Sequence, residues 1–324
     1  MHFNTKILSL GKLPDNVENK FKHNFSNFKS YSLDESTNNL HAIIQENYDT
    51  EILISFLCHQ INKNIIDSLK YLKIIANYAV GFDNIDLNSS KNKKIFVLNT
   101  PDVLSNATAD LALALLMSVS RKIIDAHHFV INKKWQGLTM NMFMGQNLSN
   151  KNFGIIGLGR IGKIFAKRIN GFDPKIMYTN STNKSDKLFD NSFNARCVNL
   201  NELLTKSDII SIHCPLNEST HHLLNKSNLK LIKPNCILIN TARGSIIDQT
   251  ALIEILESNK IRGLGLDVFE NEPNIPDKLL EHPNVVLTPH IGSADTETRD
   301  SMGYLLYDGI CNLLQDKLPH NLVL

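Results

Sequence analysis

The chain has little of what secreted disulfide-rich domains and membrane proteins are built from. Its 324 residues include five cysteines and one tryptophan, and no two cysteines form a C-x-x-C pair. An odd number of cysteines in a long chain is typical of reduced thiols in the cytosol rather than of a disulfide or zinc framework. No apolar run approaches the ~18 residues of a membrane span, and the short apolar run before Gly11 is too short for a signal peptide. We therefore expect a cytoplasmic protein without a membrane partner.

Charge of one sign is also lacking. The 34 basic and 32 acidic residues give a formal net charge of +2, and so small a charge does not attract nucleic acid or an anionic membrane by itself. Hydrophobic residues make up 42% of the chain, which is ordinary globular usage. The composition therefore predicts a folded protein without a nucleic-acid partner, and the length predicts about two domains.

Short apolar runs alternate with longer amphipathic stretches along the chain. Several runs have apolar residues at consecutive positions, as in Ile237, Leu238 and Ile239, which is typical of parallel strands covered by helices on both faces. The repeated strand–helix order predicts the α/β class. The predicted strands span residues 6–10, 52–57, 73–77, 95–98, 153–157, 175–179, 208–213, 236–240, 263–268 and 285–288. The predicted helices span residues 107–121, 161–169, 249–258 and 295–316.

Two short segments that follow predicted strands, residues 99–102 and 288–293, have the composition of hinges. If the chain crosses between domains there, residues 1–100 and 292–324 form one domain and residues 101–291 form the other. The helix predicted at 107–121 is apolar almost all round, so we expect it to be buried either within its own domain or against a second subunit.

A glycine-rich motif follows the strand predicted at 153–157. Gly157, Gly159 and Gly162 have the spacing G-x-G-x-x-G, with a strand before and a helix after, as dinucleotide-binding loops require. Glycine allows a tight turn at the first position, close approach of a pyrophosphate at the second and close helix–strand packing at the third. The helix N-terminus then offers N–H groups to the phosphates. We interpret the motif as a dinucleotide site.

The strand predicted at 175–179 is followed by Asn180, Ser181 and Thr182, where NAD-binding proteins place an acidic residue that binds the ribose 2′-hydroxyl. No acidic residue occurs here before Asp186. Amide and hydroxyl groups can donate to a 2′-phosphate, so we predict that NADP(H) is favoured over NAD(H). The stretch contains no arginine, and NAD(H) remains the alternative.

Three ionisable residues follow predicted strands in the second half of the chain, namely Arg243, Glu272 and His290. The carboxyl ends of parallel strands face the ligand crevice, so we expect these side chains to converge on the reactive end of the coenzyme. Carbonyl reduction requires a proton and a positive charge near the carbonyl oxygen. His290 would supply the proton, Glu272 would fix its tautomer, and Arg243 would bind a carboxylate. The predicted substrate is a small 2-oxo acid.

Other reactive side chains give weaker indications of a functional site. The adjacent pairs His127–His128 and His221–His222 are candidate metal ligands, but adjacent side chains point in different directions on a helix. No carboxylate at ligand spacing accompanies either pair, so we predict no metal site. Cys214 directly precedes Pro215 and is expected to pack beside the coenzyme rather than to act as a nucleophile.

The chain resembles the D-isomer-specific 2-hydroxyacid dehydrogenases over nearly its whole length. The resemblance is carried by the glycine loop and by residues 76–86, 240–245, 265–273 and 287–294. It is most similar to the glyoxylate/hydroxypyruvate reductase branch, through residues 99–104, 106–110 and 289–294. The resemblance implies two Rossmann-like α/β domains with parallel sheets and an active-site cleft between them. Members are usually homodimers joined through the coenzyme domain, and a homodimer is therefore expected.

Further site residues are implied by the resemblance alone. The backbone N–H groups of Val80 and Gly81 would bind the substrate carboxylate beside Arg243 and His290. Asp267 matches a residue near the nicotinamide carboxamide. The other implied coenzyme contacts are Leu158, Arg160, Ile161, Pro215, Thr241, Ala242 and Gly292.

The function favoured by these observations is NAD(P)H-dependent reduction of glyoxylate or hydroxypyruvate to the 2-hydroxy acid by hydride transfer. D-lactate or another D-2-hydroxyacid dehydrogenase activity is an alternative, because the sequence does not determine the size of the substrate pocket. A third alternative is a non-catalytic NAD(H)-sensing scaffold, like the transcriptional corepressors that share this fold. The intact set of Arg243, Glu272 and His290 argues against it.

Overall fold

The structure is a computed structural model that describes residues 2–181 and 184–324. The chain forms two compact units, Met1–Leu104 with Ser293–Leu324 and Ser105–Gly292. Each unit contains one sheet, and the paired strands in both sheets run parallel. The prediction of two α/β domains with parallel sheets is confirmed.

Strands and helices alternate along the described residues. The strands are β1 (Phe3–Ser9), β2 (Phe25–Ser30), β3 (Ile52–Ser55), β4 (Ile74–Asn77), β5 (Phe96–Leu98), β6 (Asn152–Ile156), β7 (Lys175–Thr179), β8 (Ala195–Cys197), β9 (Ile209–Ile212), β10 (Ile237–Asn240), β11 (Gly263–Leu266) and β12 (Val285–Leu287). The helices are α1 (Asp15–Asn24), α2 (Leu33–Asn38), α3 (Leu40–Glu46), α4 (Lys63–Ser68), α5 (Leu87–Asn92), α6 (Ser105–Arg121), α7 (Ile123–Ile131), α8 (Arg160–Ile169), α9 (Lys187–Phe193), α10 (Leu200–Lys206), α11 (Lys226–Leu229), α12 (Gln249–Glu257), α13 (Asp277–Leu280) and α14 (Thr296–Leu313). Short 3-10 helices cover Asn170–Phe172 and Gly244–Ile246. Within these residues no helix is long and apolar enough to cross a membrane.

The first unit has a five-stranded sheet in the order β2-β1-β3-β4-β5. Strands β3 and β4 are buried along their whole length, as expected for central strands of a parallel sheet. The end of the chain returns to this unit, where α14 packs against α1 and β4. The N–H of Val323 donates to the carbonyl oxygen of Val97, at 2.8 Å, and this bond attaches the C-terminal segment to β5.

The second unit has a seven-stranded sheet in the order β12-β11-β10-β9-β6-β7-β8. The chain enters at β6, continues outward through β7 and β8, and then returns to the other side of β6 with β9. Strand order therefore reverses between β6 and β9, and ligands of open α/β sheets bind outside the carboxyl ends of the strands at such a switch point. The glycine loop follows β6, so it lies at this position.

The apolar helix α6 is buried within its own unit. Its buried residues contact α8, β10 and β11 and include Thr108, Ala109, Ala112, Leu115, Leu116 and Val119. Burying apolar area of this kind stabilises the fold by about 25 cal/mol per Å². One face of α6 is therefore buried within its own unit, while Leu111, Leu113 and Met117 of the same helix are only partly buried.

Candidate active site

The three glycines after β6 have three different geometric surroundings. Gly157 has a φ of +95°, and a Cβ there would lie 2.5 Å from the backbone nitrogen of Cys214. A Cβ on Gly162 would overlap the carbonyl oxygen of Gly157. A Cβ on Gly159 would have nothing within 4 Å. The first and third glycines are thus required by packing, whereas the second borders open space at the start of α8.

The residues after this turn place the start of α8 beside that space. Gly159 is the N-cap residue and has no side chain to cap the N–H groups of the first helical turn, which are groups that commonly bind anions. Leu158 and Ile161 are half-buried and Arg160 is exposed. Across the switch point, burial raises the pKa of the Cys214 thiol to about 11. A thiol that stays protonated at neutral pH is a poor nucleophile.

The segment after β7 is held by polar contacts. The amide of Asn180 donates to the carbonyl oxygen of Lys184, at 3.1 Å, and Ser181 is exposed. Thr182, the third residue predicted to contact the coenzyme here, lies outside the described residues. Asp186 is paired with Lys163 of α8, with 2.6 Å between carboxylate and ammonium. That contact is the main reason why the pKa of Asp186 is lowered.

Glu272 and His290 contact each other directly. The Nδ1 atom of His290 lies 2.8 Å from Oε2 of Glu272, and Oε1 accepts a bond from the N–H of Phe269, at 2.9 Å. Burial by itself would raise the pKa of Glu272, but the bonds from His290 and Phe269 and the charge of Arg243 outweigh it and lower that pKa. An ionised Glu272 only accepts hydrogen bonds, so Nδ1 carries the ring proton and Nε2 faces away from the carboxylate.

Arg243, the third residue of the predicted catalytic set, follows β10. Its Nη1 atom donates to the carbonyl oxygen of Ala242, at 2.8 Å, and its own carbonyl accepts from the side chain of Asn240, at 2.9 Å. The positive charge of Arg243 is one of the causes that lower the pKa of Glu272. All three residues that the sequence singled out lie in the second unit, and two of them, Glu272 and His290, are in direct contact.

Asp267, at the end of β11, organises the loop that carries His290. Its Oδ1 atom accepts from the Thr288 hydroxyl at 2.6 Å and from the N–H of Ile291 at 2.8 Å. Its Oδ2 atom is buried and has no hydrogen-bond partner within the described part of the chain. Burial raises the pKa of Asp267. Sequence reasoning identified Asp267 only by resemblance and did not identify Thr288. The feature that could have indicated Thr288 is a hydroxyl side chain at the end of a strand, two residues before His290.

The other predicted coenzyme residues lie at the ends of neighbouring strands. Pro215 follows β9, and Thr241 and Ala242 follow β10. Thr241 is buried, and its hydroxyl has no partner among the residues described. Gly292 follows β12, and its carbonyl accepts from the Thr108 hydroxyl, at 3.1 Å. The orphaned oxygens of Thr241 and Asp267 and the open space at Gly159 fit a polar ligand such as a dinucleotide.

Val80 and Gly81, the predicted substrate-binding residues of the first unit, follow β4. The side chain of Asn99 donates to the carbonyl of Val80 and that of Asn77 to the carbonyl of Gly81, each at 2.8 Å. These bonds hold the backbone of the segment in place.

The prediction that no carboxylate accompanies the second histidine pair is wrong. His221 and His222 lie in a turn rather than on a helix, and Oε1 of Glu270 lies 2.6 Å from Nε2 of His222. The two residues are 48 positions apart, and only the neighbouring positions of β9, β10 and β11 in the sheet bring their loops together.

Comparisons with known proteins agree with this geometry. Residues 113–292 match the family model described as D-isomer specific 2-hydroxyacid dehydrogenase, NAD binding domain. A glyoxylate reductase of Thermococcus litoralis is 42% identical over 286 residues, which is 87% of this chain and 86% of the relative. A putative D-isomer specific 2-hydroxyacid dehydrogenase from Polaromonas has a TM-score of 0.91 at 34% identity, covering 99% of both chains. An NADPH-dependent glyoxylate/hydroxypyruvate reductase from Sinorhizobium meliloti, solved with NADP and malonate, has a TM-score of 0.87 at 30% identity, covering 99% of this chain and 97% of that one.

The chain belongs to the D-isomer-specific 2-hydroxyacid dehydrogenase family. It is an NAD(P)-dependent oxidoreductase, and the activity that its glyoxylate reductase relatives support is NAD(P)H-dependent reduction of a 2-oxo acid. The family resemblance seen in the sequence and the prediction of an enzyme are both confirmed.

Proposed function

We propose that this enzyme reduces glyoxylate and hydroxypyruvate to the corresponding 2-hydroxy acids, with NADPH favoured over NADH. The observation that carries the proposal is the hydrogen-bonded pair of His290 and Glu272. Both side chains and Arg243 lie in the unit that also holds the glycine loop. Relatives named glyoxylate reductase support this choice of substrate.

Each residue has a defined task in this proposal. The nicotinamide coenzyme supplies the hydride when it is bound. His290 donates a proton from Nε2 to the carbonyl oxygen of the substrate, which develops negative charge as the carbonyl is reduced. Glu272 accepts the Nδ1–H bond, so it orients the ring and fixes its tautomer. Arg243 binds the substrate carboxylate, to which its planar guanidinium is matched. The backbone N–H groups of Val80 and Gly81 in the first unit are further proposed substrate contacts.

The coenzyme is held by backbone groups and by two buried oxygens. The open space at Gly159 and the start of α8, with Leu158, Arg160 and Ile161, would hold the pyrophosphate. The Oδ2 atom of Asp267 would accept a hydrogen bond from the nicotinamide carboxamide, and the hydroxyl of Thr241 would also face the coenzyme. Pro215, Ala242 and Gly292 would supply further contacts to the coenzyme.

The preference for NADPH rests on the segment after β7. Asn180 and Ser181 are donors placed where an acidic residue would repel a 2′-phosphate, and Thr182 is proposed to act with them. The nearest following carboxylate, Asp186, is neutralised by Lys163. The NADPH-dependent reductase from Sinorhizobium meliloti, 30% identical to this chain, supports the same choice.

A homodimer and a cytoplasmic location complete the proposal. Helix α7 buries none of its nine residues, although several of them are apolar. We call the exposed apolar side chains of α7 and the segment after it the α7 surface; they are Ile123, Ile124, Val130, Ile131, Trp135, Leu138, Met140 and Met144. Exposed apolar patches commonly mark subunit interfaces, so we place the dimer contact here. No disulfide bond joins the cysteines of the described chain, as is typical of a reducing compartment.

The test is an NADPH and NADH oxidation screen against glyoxylate, hydroxypyruvate, pyruvate and longer 2-oxo acids. We expect the highest kcat/KM with NADPH and the first two acids. His290→Ala should lower kcat by about 10²–10⁴-fold, because it removes the proton donor, and Arg243→Ala should lower kcat/KM for the 2-oxo acid. His41→Ala, at an exposed position on α3, is the control and should keep the wild-type rate.

Two results would contradict the proposal. A higher kcat/KM for pyruvate than for glyoxylate would favour D-lactate dehydrogenase activity. A His290→Ala enzyme that turns over at the wild-type rate would assign the proton transfer to another group.

A further inference from the structure

A second group of ionisable side chains lies outside the proposed catalytic set. His221, His222 and Glu270 place one possible ligand atom each within 4.8 Å of the others. The imidazole rings of His221 and His222 stack with their centroids 4.1 Å apart and 26° between their planes. His221 is exposed, whereas the side chains of His222 and Glu270 are 35% and 24% exposed. The group therefore lies at the surface, open to a small ion.

We propose that His221, His222 and Glu270 form a binding site for a divalent transition-metal ion, with Zn²⁺ as the ion that fits best. Two imidazoles and one carboxylate form a donor set that Zn²⁺ uses, with a fourth position left to water. Zinc–nitrogen bonds of about 2.0–2.1 Å in a tetrahedral site put ligand atoms roughly 3.3 Å apart. The three donor atoms lie within 4.8 Å of one another, which is near that spacing.

The two loops that supply the ligands are held in place. The N–H of His222 donates to the carbonyl oxygen of Ser245, at 2.8 Å. Glu270 is bonded to Gln249 twice, since its N–H donates to the Gln249 side chain and its Oε2 accepts from the Gln249 N–H, both at 3.3 Å. Such contacts orient metal ligands and raise affinity.

Packing of the glycine at position 244 adds to this support. A Cβ on Gly244 would overlap the backbone of Phe269 and Glu270, so the loop after β10 lies directly against the loop that carries Glu270. The ligand positions are therefore largely determined before any ion binds, which lowers the entropic cost of binding.

His221 distinguishes a metal site from an ordinary ion pair. A hydrogen bond between His222 and Glu270 needs only those two residues, and His221 adds no buried contact that the fold requires. Its ring nevertheless stacks on that of His222, with a ring nitrogen within reach of the Glu270 carboxylate. The other adjacent pair, His127 and His128 on α7, has centroids 5.8 Å apart and a 46° angle, and it belongs to no such group among the described residues.

The test compares Zn²⁺ binding to the purified, chelator-treated wild-type chain, His221→Ala and His127→Ala by calorimetric titration. We expect one Zn²⁺ per wild-type chain. Loss of one ligand should weaken binding at least as much as loss of a supporting residue, which typically costs 10–100-fold. His127→Ala should bind as the wild type does. The melting temperature should rise with Zn²⁺ in the wild type and in His127→Ala but not in His221→Ala, because the ion binds only the folded state.

Co²⁺ spectra and turnover distinguish this site from a cysteine-containing metal site and from the catalytic set. The Co²⁺-loaded wild-type chain should show the visible bands of a nitrogen and oxygen site, without the thiolate charge-transfer band that a cysteine ligand would produce. Wild-type affinity in His221→Ala, or a thiolate band, would overturn the proposal. Metal-free His221→Ala should reduce glyoxylate at the wild-type rate, so failure of the metal site and failure of the proposed function remain distinguishable.

Discussion

At the scale of single residues, Asp267 combines complete burial with an incomplete set of hydrogen bonds. Burial raises its pKa. One carboxylate oxygen holds Thr288 and Ile291, and the other has no partner within the described chain. A buried polar atom left without a hydrogen bond costs about 1–3 kcal/mol, and a coenzyme amide that donates to it would remove that cost.

Asp267→Asn tests this role. Asparagine can keep the acceptor that Thr288 and Ile291 use, but it presents an amide donor where Oδ2 stood. The new side-chain amide and the carboxamide N–H of the coenzyme would then both be donors, with no acceptor between them. We expect the KM for NADPH to rise by about 5–150-fold, the equivalent of 1–3 kcal/mol. The KM is measured at saturating glyoxylate, with the melting temperature as a check on folding.

Asp248→Asn is the matched control. Asp248 caps α12 by accepting from the N–H of Ala251, and asparagine caps helices about equally well, so this variant should keep the wild-type KM. A folded Asp267→Asn enzyme with an unchanged KM would remove Asp267 from the coenzyme site.

At the scale of elements, two glycines in the turn between β6 and α8 differ in whether they leave room for a side chain. Gly157→Ala forces a side chain into a left-handed backbone conformation, which costs about 1–2 kcal/mol, and against the nitrogen of Cys214. We expect its melting temperature to fall by several degrees. Gly159→Ala meets open space at a φ of −81°, so its melting temperature should stay near that of the wild type. Its NADPH KM should rise because the new methyl group occupies the pyrophosphate position.

Thermal melts of the two variants test the packing role of Gly157, and coenzyme titrations test the coenzyme-binding role of Gly159. Retention of the wild-type KM by a stable Gly159→Ala enzyme would mean that the pyrophosphate binds elsewhere. A Gly157→Ala enzyme as stable as the wild type would mean that this turn adapts to a side chain.

The elements that sequence reasoning missed are also informative. The structure has a strand at each of the ten predicted positions, and the two additional strands, β2 and β8, lie at sheet edges. Phe25 is the one fully buried residue of β2, and β8 has three residues, none of them buried. Strands β5 and β12 also lie at sheet edges, but each has three consecutive apolar residues by which it was recognised. Strands β2 and β8 have no such run.

At the scale of the whole molecule, the α7 surface predicts the oligomeric state. Light scattering after size-exclusion chromatography should give a homodimer for the wild type. The double variant Val130→Glu and Ile131→Glu should be a monomer, because it buries two charges in the contact. Both side chains are more than half exposed in the single chain, so the monomer should fold.

Leu188→Glu is the control for the charge itself. Leu188 lies on α9 and is 80% exposed, and its replacement should leave the dimer intact. A monomeric wild type, or a double variant that remains dimeric, would contradict the assignment of the contact to α7.

The amino-acid sequence by itself determined the α/β class, the glycine loop and the set of Arg243, Glu272 and His290. Those features depend on local periodicity and on the residue types directly after each strand, and both can be read over short stretches of chain. Only the tertiary structure decided that one face of α6 is buried within its own unit, that one oxygen of Asp267 lacks a partner among the described residues, and that Glu270 meets His222. These depend on the order β11-β10-β9 in the sheet, which is set by packing between distant segments and leaves no pattern in the spacing of residues.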